Sequence, residues 1–144
     1  MKLFIRHIFP LLLLAATAGQ LRAQVTVGQA IEPATLRVGE QAVLTVTVTL
    51  NAGERADFPA FRDNVIVPGV EVVDESPVDT TWLNDRKRMK LTRRYILTSF
   101  DKALYTLPPF QVKVGQKVYT AKDELGLKVD TAGIHVDTLH VDQF

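Results

Sequence analysis

The chain has 144 residues, with 17 Lys and Arg against 16 Asp and Glu, and no cysteine. A near-even charge balance lacks the basic excess of a nucleic-acid surface. The missing thiols exclude cysteine nucleophiles, cysteine-ligated metals, disulfides and a lipid-modified N-terminal cysteine.

In chain order, residues 1–23 read as a secretory signal: Lys2 and Arg6 open it, an apolar run covers residues 8–18, and Leu21-Arg22-Ala23 supplies a cleavage site. The run falls short of the roughly 20 apolar residues of a membrane span, and Pro10 interrupts it. The expected destination is the periplasm or cell envelope. Cleavage removes Lys2, Arg6 and Arg22, leaving fourteen basic residues against sixteen acidic, a net of −2. What remains suits one domain able to bury about two thirds of its unfolded surface, expected over residues 24–130, with residues 131–144 as a tail or linker.

From Val25 onward the apolar residues recur with period two, the strand signature. In residues 42–50, Ala42, Leu44, Val46, Val48 and Leu50 share one face and Val43, Thr45, Thr47 and Thr49 the other. Further strands are expected at residues 25–31, 70–74, 78–83, 88–99, 110–114, 117–121 and 125–129. Gly115-Gln116 suits a two-residue hairpin loop whose first position takes a positive φ; Pro68-Gly69 and Asn84-Asp85 mark two more turns. No convincing helical period of useful length follows the signal. About seven short strands between turns indicate an all-β, antiparallel sandwich of immunoglobulin-like type, without the Cys-Trp-Cys core of antibody domains.

A two-residue loop at Asn84-Asp85 pairs Leu83 with Arg86. It sets Asp79 opposite Lys90 and Glu75 opposite Arg94, with Val78 against Leu91 and Thr80 against Met89 on the other face. Opposite charges then meet across the strands. The basic run is mostly neutralised, which leaves Arg86, Lys87 and Arg88 at the tip as candidate partner contacts. Trp82 is expected to pack in the core or the hairpin.

Catalytic patterns are missing. Ser76 and Ser99 are the available serines, neither lies in G-x-S-x-G, and the histidines left after cleavage, His135 and His140, stand in the tail. His135-Val136-Asp137 and His140-Val141-Asp142 point to opposite sides of an extended chain, which disfavours a shared metal. The eight glycines form no phosphate-binding or dinucleotide motif. Paired carboxylates among Asp57, Asp63, Asp74, Glu75 and Asp79 are commonplace turn acids. The expectation is a non-catalytic domain, with no catalytic, metal or cofactor residue named and no cofactor.

The second half carries an ordered set of motifs: Tyr95-Ile96-Leu97, Tyr105-Thr106-Leu107-Pro108-Pro109-Phe110, Val112, Val114, Val118-Tyr119 and Leu125-Gly126-Leu127-Lys128-Val129. This order resembles the N-terminal domain of the BatD, or oxygen-tolerance, family: Y-x-L, a short turn, a Y-x-I-P-P core strand, a V-x-V-x-G-x-x-Y hairpin and a closing L-x-L-x-V strand. Leu36-Arg37-Val38-Gly39-Glu40 resembles the family's opening, and Thr98-Ser99-Phe100-Asp101 a Bacteroidetes variant. Asp101-Lys102-Ala103 departs from it in lacking the usual turn glycine, and Ala121 stands where a small polar residue is common. The resemblance implies an envelope component working beside proteins with von Willebrand type A domains and an ATPase of the MoxR class, near a membrane if the full-length form carries a later anchor. It implies no reaction. Tyr95 and Tyr119 are expected as half-buried strand residues, and Pro108-Pro109 as the start of a strand. The function expected is protein interaction within an envelope complex linked to oxygen or stress tolerance, through an exposed sheet edge; the alternative is a module binding an extracellular glycan or surface polymer, for which exposed aromatics would be needed.

Overall fold

The computed structural model describes residues 24–131. The expected signal, the residues of the expected tail after Thr131, and both tail histidines lie outside the described residues.

The alternation in residues 42–50 organises the first layer. In β3 (Gln41–Asn51) the side chains of Ala42, Leu44, Val46, Val48 and Leu50 are fully buried, while the residues between them are half-buried. β3 pairs antiparallel with β1 (Thr26–Glu32) on one side and, from Gln41↔Thr98 to Asn51↔Arg88, with β8 (Arg88–Thr98) on the other. Beyond β8 come β6 (Val70–Glu75) and β5 (Val65–Val67), joined by Pro68-Gly69 with Gly69 at φ 93°. A side chain at Gly69 would also run into the Tyr105 hydroxyl. The order β1-β3-β8-β6 matches the A-B-E-D sheet of an immunoglobulin constant-type sandwich.

The second layer is a long bent hairpin with two short strands beside it. Its outgoing arm is β9 (Ala103–Leu107) followed by β10 (Gln111–Val114), and its returning arm is β11 (Lys117–Thr120) followed by β12 (Leu125–Asp130). Gly115-Gln116 closes it as expected, with Val114 opposite Lys117 and Gly115 at φ 61°. Pro108 and Pro109 lack amide hydrogens and break the outgoing ladder. Opposite them the returning arm has four residues against three between the paired positions, a bulge that bends the layer. Ala121 N–H donates to the Phe110 carbonyl at 3.0 Å and keeps the arms together through the bend. β2 (Thr35–Arg37) joins β12 as a parallel pair, and β4 (Ala56–Asp57) joins β10.

Leu36, Leu107, Val112, Leu127 and Val129 of this layer meet the buried face of the first in one core. Each fully buried aliphatic side chain contributes about 1.5–3 kcal/mol. Tyr95, expected to be half-buried, is fully buried at the centre of this core; Tyr119 is half-buried as expected. Burial of Tyr95 is tolerated because its hydroxyl donates to the Pro59 carbonyl at 2.7 Å, and Phe61 packs edge-on against it at 5.2 Å. Gln29 fastens β1 to the bend. Its Oε1 accepts from Phe110 N–H at 2.9 Å, and its Nε2 donates to the carbonyls of Asp123 at 2.8 Å and Pro108 at 3.3 Å.

Candidate functional site: the edge beside β8

β8 is longer than either strand on its outer side. β6 covers its second half, pairing Glu71↔Thr98 through Glu75↔Tyr95, and β7 (Asp79–Leu83) covers its first half. Between them the chain breaks at Ser76-Pro77-Val78. Ser76 ties the break to β8: its N–H donates to the Arg94 carbonyl at 2.8 Å, and its hydroxyl accepts from Arg94 N–H at 2.9 Å.

Arg93 belongs by parity to the inward face of β8, which carries Met89, Leu91, Tyr95 and Leu97. Its guanidinium escapes at the break, donating to the Ser76 carbonyl at 3.1 Å and Glu75 Oε2 at 2.8 Å, and it lies over the Tyr95 ring at 5.7 Å. Burial pushes the Tyr95 phenol up to about 12, with the Arg93 charge pulling it down and Glu75 pushing it up.

The register differs from the expected one by two residues. Leu83 faces Arg88, Asp79 faces Thr92, Thr80 faces Leu91 and Trp82 faces Met89. The loop is therefore residues 84–87. Asn84, Asp85 and Arg86 have φ of 49°, 52° and 66°, and Lys87 N–H closes the turn on the Asn84 carbonyl at 3.0 Å. An even shift keeps every side chain on its face, so apolar patterning could not choose between the two registers. The longer loop is favoured by β3: the Lys87 carbonyl accepts from Ala52 N–H at 3.0 Å, and Arg88 donates to Asn51 Oδ1 at 2.9 Å and to the Gln24 carbonyl at 2.6 Å. These bonds hold Arg88 opposite Asn51 as the first residue of β8. The expected charge partners change: Asp79 of β7 pairs with Arg94 at 3.0 Å, and Glu75, on β6 before the break, pairs with Arg93 at 2.8 Å.

β7 has no buried residue. Thr80 and Trp82 share the face of the buried Met89 and Leu91, yet both are exposed. Trp82 is 46% exposed and stands outside the core, so of its two expected places, core or hairpin, the hairpin is the one it takes. What it packs with is the hairpin tip: the Arg86 guanidinium lies 5.5 Å from its ring centre. Of the three tip residues, Arg88 is taken up by Asn51 and Gln24, while Arg86 and Lys87 are exposed and form no ion pair among the described residues. One sequence signal could have revealed this edge. Thr80 and Thr81 put polar groups on both faces of the segment, so neither face was written for a core.

Elsewhere the hydroxyls singled out in the sequence serve the fold. Ser99 bonds the Tyr105 hydroxyl at 3.1 Å and accepts from Asp101 N–H at 3.3 Å. Four surface grooves among the described residues measure from 360 to 490 Å³. Among the described residues no three His, Asp or Glu side chains come together in a metal-binding group.

Residues 29–129 match the family model described as the BatD DUF11-like domain. No curated protein and no solved structure matches the chain.

Proposed function

The chain belongs to the BatD family, and on that premise we propose that it is an exported, non-catalytic interaction module of an envelope complex linked to oxygen or stress tolerance, making its contacts along β7 and the tip beside it. The family is associated with the cell envelope. Among the described residues no helix is long and apolar enough to cross a membrane. The observation that carries the reading is β7 itself: five edge residues, none buried and none packed against the core, on a sheet whose other strands all send side chains to it. An open edge offers a row of backbone donors and acceptors to an added strand. Arg86 and Lys87 at its end add charge recognition of an acidic partner, and the partners the family suggests are proteins with von Willebrand type A domains. Isolation of the tagged protein from envelopes should bring such a protein down, and Arg86→Glu with Lys87→Glu should reduce its recovery at low salt, less so at high salt. Equal recovery with an unchanged unfolding midpoint would remove the tip from the account.

Exposed Trp82 is the observation that favours the second reading, a glycan platform. Its ring already carries the Arg86 guanidinium over it, which places it second. Iodide reaches Trp82 under either reading, so the discriminating result is protection: a sugar that suppresses quenching favours the glycan.

A further inference from the structure

The residues around β7 are self-complementary. Val78, the residue just before β7, and Trp82 within it, 42% and 46% exposed, stand two residues before and two after Thr80, a spacing that puts side chains on one face where the chain runs extended. Charge is distributed in the opposite sense along the same segment. Asp74, Glu75 and Asp79 gather at its start and Arg86 and Lys87 beyond its end. After their bridges to Arg93 and Arg94 the acids keep one net negative charge, and the tip, with Asp85 included, keeps one net positive.

We propose that the occupant of the β7 edge is a second copy of this chain, added antiparallel about a two-fold axis at Thr80, so that Trp82 of each copy lies across from Val78 of the other. This rests on the reading of β7 as a contact edge. The pairing sets an aromatic against a β-branched residue twice and threonine against threonine once, combinations that stabilise neighbouring strands. It brings the basic end of each copy beside the acidic end of the other, whereas a parallel addition would set like charge beside like. An isologous contact uses one edge per copy and closes, so it leads to a dimer and not to a fibre. The other edges are poorer candidates: Gln29 bridges β1 to the second layer, β9 packs beside β5, and β4 has two residues. A five-residue strand buries less than the roughly 1,200 Å² of a stable interface, so the dimer is weak and depends on concentration.

The chain has no cysteine, which makes a single introduced thiol a direct probe of register. In the paired form Thr80→Cys meets its own symmetry mate at the roughly 4.5–5.5 Å Cβ spacing of directly opposed residues. Thr81→Cys, on the other face, opposes Asp79 and stands diagonal to its mate, beyond the reach of a disulfide. Mild oxidation should therefore link Thr80→Cys at least about tenfold faster than Thr81→Cys. Sedimentation of the cysteine-free chain should show dimer rising with concentration, and Arg86→Glu with Lys87→Glu should weaken it about tenfold at low salt. A chain that stays monomeric at about 1 mM, with both thiols oxidising equally slowly, overturns self-pairing. If the tip reversal still costs the envelope partner in that case, the edge serves that partner and the proposed function stands. A dimer that the tip reversal weakens, beside an envelope complex that it leaves intact, supports self-pairing and removes the tip from the contact with the envelope partner.

Discussion

β3 and β7 flank the same stretch of β8, one on each side, and differ in everything else. Along β3 every second side chain from Ala42 to Leu50 is fully buried, and the alternation fixes which face meets the core and anchors the strand there. Along β7 nothing is buried, and the register is set from outside, by a four-residue loop and by the bonds that hold Arg88 to Asn51 and Gln24. A strand that need not bury a face is free to present one. The fold supplies β7 with β8 as its neighbour and, among the described residues, leaves its far edge open.

Breaking the β3 side should have the largest effect. Leu44→Ala leaves a cavity at the centre of the sandwich and should cost about 2–5 kcal/mol in urea unfolding, whereas Trp82→Ala should stay within about 1 kcal/mol because its site is half in water. Tyr95 comes next, since Tyr95→Phe strips the Pro59 carbonyl of its donor and should cost about 1–3 kcal/mol. The same phenol gives a pH signature. Folded Tyr95 holds its proton to about pH 12, against 10 in the unfolded chain. Its contribution is complete below pH 10 and is lost as pH rises through 12, so the parent should lose roughly 1–3 kcal/mol across that window that Tyr95→Phe does not.

Gln29→Ala tests the fastening of β1 to the bend. It leaves the Phe110 N–H and the Asp123 carbonyl without their side-chain partner, and should cost about 1–2 kcal/mol. Asp79→Ala removes an exposed ion pair with Arg94 and should change stability by about 0–1 kcal/mol. A loss as large as that of Leu44→Ala would mean that β7 is integral to the core and the contrast with β3 is false.

The sequence was legible where a period could repeat. The β3 alternation, the Gly115-Gln116 hairpin and the Pro68-Gly69 turn all stand in the structure. β2, β4 and β5 have two or three residues each, too few for a period to show, and β9 entered only through the family motif. The β7–β8 register was misread because two registers place the same residues on the same faces, and the choice lay with Asn51, Ala52 and Gln24, distant in sequence. Tyr95 looked half-buried because a tyrosine hydroxyl usually seeks water, and the carbonyl that replaces water comes from Pro59, 36 residues away. The tip was visible as a basic run. That Arg88 holds the fold while Arg86 lies over Trp82 and Lys87 forms no ion pair among the described residues required the tertiary contacts.

Amide hydrogen exchange on the dilute parent chain compares the two strands most directly. Amides of β3 from Leu44 to Val48 should exchange only through global unfolding, and those of β7 through local opening, orders of magnitude faster. β7 amides exchanging in the same slow class as β3 would show a covered strand and contradict the account.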